Sequence, residues 1–258
     1  MTRQQHSAGA KGAGVLAVSL LASVGAAAQT TPWTLDLTLY GWLPALEGKV
    51  GSRGLVADID NSFRDTLEQS DSLLAFMLRA EARRARLGLF VDTVYINLGY
   101  EDVAVGTVAA DASTQLFIMS FGAAWELAGG QAEGGRSWAV DALGGGRWTR
   151  VRNEISLQGG GPSASGRSDW VDPFIGLRVR GHLSGNWIYS IQGDIGGFGV
   201  GSDFAWQAAA SIGYRFSLFG REALALVGYR ALGTDYESSR LVWDTTMHGP
   251  AIGLNVRF

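Results

Sequence analysis

From residue 33 onward, apolar positions alternate with polar or small ones over unusually long runs. Successive side chains of a β-strand point to opposite faces, so each run reads as a strand with one apolar and one polar side. Over 171–179, Val171, Pro173, Ile175, Leu177 and Val179 share a face opposite Asp172, Phe174, Gly176 and Arg178. Over 204–216, Phe204, Trp206, Ala208, Ala210, Ile212, Tyr214 and Phe216 oppose Gln207, Ala209, Ser211, Gly213 and Arg215. The final run sets Ile252, Leu254, Val256 and Phe258 against Gly253, Asn255 and Arg257.

The pattern predicts about ten strands, at 33–43, 72–83, 86–99, 114–127, 136–151, 169–181, 186–198, 203–217, 221–234 and 247–258. Strands of soluble proteins typically run to about 5–6 residues, whereas one that crosses a bilayer needs about 9–11. The expectation is therefore an all-β chain folded as a transmembrane antiparallel up-and-down β-barrel. Eight strands would require dissolving two good runs; twelve would require counting 46–51 and 54–60, which are too short to cross. With both chain ends periplasmic, outer loops are expected at 44–71, 100–113, 152–168, 199–202 and 235–246, long except for 199–202. Inner turns are expected at 83–86, 128–135, 183–185 and 218–220, short except for 128–135. Residues 61–69 read as a short helix in the first long loop, with Asn61 or Ser62 as its N-cap.

Residues 1–28 carry a different pattern. Arg3 and Lys11 precede the apolar stretch 15–24, and Ala26, Ala27 and Ala28 follow it. This is the layout of a secretory signal, with a barrel domain over 29–258; the rival reading is an uncleaved anchor. Loss of this segment would move the formal net charge of −3 two units further negative. No later apolar run approaches the roughly 20 residues of a transmembrane helix.

Composition agrees with the alternation. The chain has 258 residues, 47% hydrophobic and only 17% charged, with 37 Gly and no Cys. Charged residues usually make up about a quarter of a soluble domain. The absence of Cys excludes a disulfide framework and thiolate metal sites. Low charge of balanced sign argues against a nucleic-acid partner. The predicted location is the bacterial outer membrane, with membrane lipid and the barrel-assembly machinery as partners. A soluble periplasmic β-protein is the alternative.

The carboxyl end and the amino-terminal third carry a resemblance. Phe258, with Val256, Leu254 and Ile252 on its face, is similar to the terminal strand that the assembly machinery reads in bacterial barrels. Tyr40-Gly41-Trp42-Leu43-Pro44, Leu46-Glu47-Gly48, Ser62 to Leu67 (SFRDTL) and the hairpin from Glu81 to Phe90 resemble a group of proteobacterial outer-membrane proteins of the small OmpA/OmpW-like class. The resemblance implies a barrel and brings no catalytic residues.

Alternation places Asp36, Glu81, Asp92, Glu126, Asp141, Asp172 and Asp194 inward, together with Arg79, Arg147, Arg178, Arg180, Arg215, Arg230 and Arg257. Near-balanced charge in a narrow lumen is expected to pair, because an unpaired buried charge is costly. Two readings follow: a structural polar core, or a narrow pathway for small solutes or ions. A ten-stranded barrel is little wider than the eight-stranded size that side chains fill. Trp125, Trp138, Trp148, Trp170, Trp187, Tyr189, Trp206, Tyr214 and Tyr229 are candidates for the aromatic girdles at the membrane interfaces.

Catalytic signals are few. His182 falls at an expected inner turn, and His248 lies near the outer end of the last strand, close to Asp244, Ser238 and Ser239. His248 is the one candidate base for a hydrolase acting on lipid or peptide. Asp58, Asp60 and Asn61 lack the Gly and distal Glu of a calcium loop and read as loop and helix cap. No metal or cofactor site is expected. Gly144-Gly145-Gly146 sits inside a strand pattern, where Gly permits close backbone approach. The leading function is a small integral barrel with a structural, adhesive or narrow-channel role.

Overall fold

The computed structural model describes residues 31–52, 55–61, 72–105, 108–132, 135–157, 163–239 and 241–258. The expected signal segment, and all of the expected helix except Asn61, lie outside the described residues. The elements are β1 (Thr34–Trp42), β2 (Ala45–Ser52), β3 (Leu55–Asn61), β4 (Ser72–Arg84), β5 (Leu87–Val105), β6 (Val108–Ala132), β7 (Arg136–Leu157), β8 (Ser163–Ser184), β9 (Trp187–Gly197), β10 (Phe204–Leu218), β11 (Arg221–Glu237) and β12 (Val242–Arg257).

Ten of these close an antiparallel barrel in the order β1, β4 to β12, and back to β1. Closure pairs Asp36 with Arg257 and runs up to Trp42 opposite Ala251. Every ladder is antiparallel, and all join neighbours in the chain except β1–β4, the closing β1–β12 and β12–β2. We call the end holding Thr34, Arg257 and the tight turns at Ala85–Arg86, Gly185–Asn186 and Phe219–Gly220 the lower end.

The β2–β3 hairpin is an outgrowth of the wall at the upper end. Beyond Trp42 the chain breaks for two residues, with the Leu43 N–H still donating to the Pro250 carbonyl at 3.1 Å. It then resumes as β2 along the same edge of β12, Ala45 opposite His248 and Gly51 opposite Val242. Gly249 makes the break possible, since a Cβ there would sit 2.0 Å from the Leu43 carbonyl oxygen. β3 then pairs with β2 alone.

This outgrowth corrects part of the expected outer loop 44–71, and Asp58, Asp60 and Asn61 are strand residues rather than loop and cap. The expected loops 100–113 and 152–168 are also mostly strand. β5 and β6 pair out to Val105 opposite Val108, and β7 and β8 to Ser156 opposite Ser163. The loop expected at 235–246 shortens to 238–241. β6 thus spans 25 residues while β9 spans 11, so the wall is tall over β5–β8 and low at β9. Continued cross-strand pairing, not a change of residue period, carries these strands upward.

Outside and inside differ sharply in the lower part. Leu39, Ile175, Leu177, Ile191, Val227 and Ile252 all point outward and are exposed. The inward positions of the same strands carry much of the charge, and the main interior apolar core lies higher up. There Trp42, Met77, Val94, Ile96, Leu116, Ile118, Val151, Trp170, Leu232, Trp243 and Met247 form one buried cluster. Trp170, assigned above to an exterior girdle, belongs inside. It is two residues from inward Asp172, stacks on Tyr236 at 3.9 Å and donates its ring N–H to Asp172 at 3.0 Å.

Candidate functional site

The barrel interior is layered, and the layers follow from register. β-strand neighbours opposite one another share a face, so inward residues line up around the wall. Arg79, Asp92, Ser120, Arg147 and Asp172 are successive partners across β4 to β8. They form one side of an upper charged belt.

Hydrogen bonds carry this belt around the lumen. Arg147 donates to Ser120 at 3.2 Å and to Asp194 at 2.7 Å, and Gln207 donates to Asp194 at 3.2 Å. Arg230 donates to the Gln207 side-chain amide oxygen at 2.6 Å and to the Tyr40 hydroxyl at 2.7 Å. Tyr40 in turn donates to Asp92 at 2.5 Å, and Arg79 reaches Asp92 at 3.6 Å. Asp172 stands apart from the arginines and accepts from the Trp170 ring and from the Ser202 backbone N–H at 2.6 Å. It thereby pins the short β9–β10 turn against the wall.

A second charged group lies lower. Arg178 reaches Glu81 with two bonds of 2.6 and 2.8 Å and Asp141 with two of 2.9 and 2.8 Å. Arg83 bridges Asp141 and Glu81 at 3.1 and 3.0 Å. Arg180 bridges Asp141 and Glu126 at 3.0 and 2.8 Å. Asp141 is fully buried and is the point where three guanidinium groups converge. The bidentate geometry explains the choice of Arg over Lys, because the planar fork matches a carboxylate.

Between the two charged layers lies a small apolar one, Phe90, Ala124, Leu143 and Phe174. Arg79 stacks over Phe90 at 4.9 Å and Arg147 over Phe174 at 5.2 Å, while Arg230 stacks over Trp42 at 5.2 Å. Aromatic faces thus cover the arginine planes that carboxylates leave bare. On β6 and β7, Gly122 and Gly145 face one another at this level, and a Cβ on Gly145 would meet the Phe121 carbonyl oxygen at 2.0 Å.

At the lower rim, Arg257 clamps Asp36 at 2.9 and 3.1 Å and reaches Glu222 at 3.0 Å. A cavity of about 800 Å³ occupies the lower lumen between this rim and the upper belt. One wall is the arginine–carboxylate group; the other is small or short, with Ala209, Ser211, Gly213, Ser190 and Gly253. Above the belt the apolar cluster fills the interior. Phe258 is half exposed, and Arg221 covers its ring at 4.7 Å.

The two histidines have opposite surroundings. His182 is a β8 residue facing inward, not an isolated turn residue. Arg215, a donor only, meets its Nε2 at 2.8 Å, so neutral His182 carries its proton on Nδ1 and donates it to Ser137 at 2.6 Å. Ser137 is therefore an acceptor here and is not activated. His248 faces outward. Its partners are Tyr229 and Glu47, from β11 and β2, rather than Asp244, Ser238 or Ser239. Ser238 instead closes the loop onto Leu241. Sequence distance hid both partners, since Glu47 is 201 positions away.

The upper exterior is charged. Asp235 lies opposite Asp244 across β11 and β12. Burial first, then the negative charges of Asp244, Asp203 and Glu237, hold its carboxyl above the ordinary carboxylate range. Among the described residues, no group of three or more His, Asp or Glu side chains is arranged to hold a metal ion.

No protein-family model matches the chain, and no curated protein sequence matches it. Solved structures do. Ail, the attachment invasion locus protein of Yersinia pestis, solved with the heparin analogue sucrose octasulfate, aligns over 88% of this chain and 98% of its own, at 11% identity and a TM-score of 0.39. A Pseudomonas aeruginosa FadL homologue aligns over 88% and 90% at 9% identity, TM-score 0.28. The P. putida toluene transporter TodX aligns over 87% and 89% at 11% identity, TM-score 0.21. At this distance the likeness carries no functional weight.

Proposed function

We propose that the protein is an integral outer-membrane β-barrel with a closed lumen, serving a structural or surface-presenting role. Its lower part spans the bilayer and its upper part stands clear of it. One observation carries this reading: interior and exterior exchange polarity at nearly the same height. On β8 the outward residues from Val171 to Val179 are apolar, and Asp169 and Arg167 above them are charged and exposed. Inside, charged Asp172 gives way to Trp170 at that level. On β7 outward Trp148 is followed by Arg150 and Arg152, while inward Arg147 gives way to Val151.

A strand whose outward face is apolar over about nine to eleven residues suits hydrocarbon. A barrel with an apolar core and charged exterior suits water. Large exposed apolar side chains at the density found in the lower belt would be a liability on a soluble protein. Export by residues 1–28 and presentation of Phe258 to the assembly machinery belong to the same reading. Small solutes can enter the lower cavity from the periplasmic side, but the apolar cluster caps it, which favours the structural role over the channel.

Heat-modifiable gel migration of the membrane fraction tests the placement, and planar-bilayer recording tests the closed lumen. The folded protein is expected in the membrane fraction and electrically silent. Recovery from the soluble periplasm would sink the placement; steady unitary conductance would sink the closed lumen.

A further inference from the structure

Outward-facing His248 is held between an acid and a phenol. Glu47 is a carboxylate and can only accept, so at 3.0 Å it fixes the proton of neutral His248 on Nε2. Nδ1 is then bare, and the Tyr229 hydroxyl donates to it at 2.6 Å. This is the reverse of His182, where an arginine sets the other tautomer and leaves Ser137 as acceptor. The contacts run diagonally over three adjacent strands. His248 lies opposite Ala231 and Ala45 in register, Tyr229 opposite Pro250, and Glu47 opposite Thr246.

We propose that Tyr229, His248 and Glu47 form an acyl-transfer site on the outer wall of the barrel, acting on carboxylic esters of membrane lipid. Tyr229 is the nucleophile, His248 the general base and Glu47 the residue that orients the imidazole. The site rests on the membrane placement proposed above. Tyr229 is 51% exposed and is the last large outward apolar residue on β11 before Asp235, with exposed Val227 below it. On β12, exposed Ile252 lies below His248 and exposed Asp244 above it. That height is the headgroup boundary, where the ester bonds of a lipid lie.

A phenol suits this position. Its ordinary pKa of about 10 is far below that of an aliphatic hydroxyl, so an imidazole can deprotonate it at modest cost. Tyr229 Oη adds to the ester carbonyl carbon as its proton passes to His248 Nδ1, and Glu47 steadies the imidazolium. The bond from the carbonyl carbon to the lipid alcohol breaks, and the departing oxygen takes the proton from Nδ1. Water then gives a proton to Nδ1 and adds to the tyrosyl ester. The aryl–oxygen leaving group recovers that proton, releasing a fatty acid and restoring Tyr229.

The test compares Tyr229 with Tyr214 in one folded, detergent-purified protein. Tyr214 is similarly exposed on the outer wall at 42% but rests edge-on against Trp187, ring centres 5.1 Å apart, rather than against a base. An aryl sulfonyl fluoride is expected to label Tyr229 at least about ten times faster than Tyr214, by peptide mass spectrometry. The difference is expected to disappear in His248→Ala and to shrink in Glu47→Gln. Vesicles of phosphatidylethanolamine and phosphatidylglycerol are expected to release fatty acid, with a loss of about 100-fold in Tyr229→Phe and His248→Ala. Equal labelling of the two tyrosines, absence of release, or release unchanged in Tyr229→Phe would overturn the proposal. Labelling is read in detergent, so a failure of membrane placement leaves it intact and is detected separately by gel migration.

Discussion

The lower and upper parts of this barrel share most of their strands and solve opposite problems. On the proposed membrane placement the solvent outside the lower part is hydrocarbon, and its polar residues have only the lumen to turn to. They satisfy one another there, with Asp141 taking three arginines and Arg178 spanning two carboxylates. In the upper part the outward positions are charged and the lumen is dry, filled by Trp42, Trp243, Met77 and Ile118. The upper part is thus held by the usual apolar burial of a water-soluble protein. The lower part is held by backbone ladders and an internal ionic network. Stability in each region should therefore respond to different substitutions.

The largest expected effect is at Asp141. Asp141→Ala removes the carboxylate that three arginines share, leaving Arg83 and Arg178 on Glu81 and Arg180 on Glu126, and loss of one partner from a buried ionic group costs up to about 3–5 kcal/mol. Urea unfolding in detergent, followed by loss of the heat-modifiable band, is expected to show it. Trp243→Ala in the upper core is expected to cost about as much or slightly less, near 3 kcal/mol, through cavity formation. Unlike Asp141→Ala, it should thin the cap over the lumen, so a paired Trp42→Ala, Trp243→Ala protein is expected to show brief conductance events in a bilayer. A silent double variant with an intact fold would mean that the charged belt alone closes the lumen.

A substitution on the exterior separates the regions more directly. Ile252→Arg, within the apolar belt of β12, is expected to cost up to about 2–4 kcal/mol. Thr246→Arg, on the same face three steps higher along that strand, is expected to cost less than about 0.5 kcal/mol. Refolding into lipid vesicles under urea measures both, and equal costs would remove the proposed membrane boundary between them. The smallest effect is at the upper rim. Asp235 carries a carboxyl whose pKa is raised on folding, so the fold loses stability as pH rises through the carboxylate range. Asp235→Asn is expected to stabilise by less than about 1 kcal/mol at pH 7, and the gain should vanish in acid, where the native Asp235 is itself neutral.

Much of this architecture was legible in the chain. The run from Val171 to Val179 states its own sidedness, and so do 204–216 and the last strand. That sidedness assigned the inward charged residues, because one slip in register would move every side chain to the wrong face. Where the sequence misled, the physical reason is specific. Past residue 100 and past residue 152 the large, regularly spaced apolar residues thin out in the sequence, so these stretches read as loop although cross-strand pairing persists. β2 and β3 are too short to cross a membrane and form only because β12 offers an edge above Gly249. His182 was read as turn because its partners Ser137 and Arg215 are 45 and 33 positions away.

Local periodicity was enough to determine that the chain makes about ten long amphipathic strands that close an antiparallel barrel. Those properties depend only on the two-residue repeat of a strand and on which side chains water or hydrocarbon will accept. Tertiary structure alone decided which inward residues share a level, and hence that charge lines the lower lumen while tryptophan and methionine cap the upper one. It also decided that Tyr229, His248 and Glu47 meet outside while Ser137, His182 and Arg215 meet inside. Register between strands sets those meetings, and register is a property of closing the whole sheet into a ring.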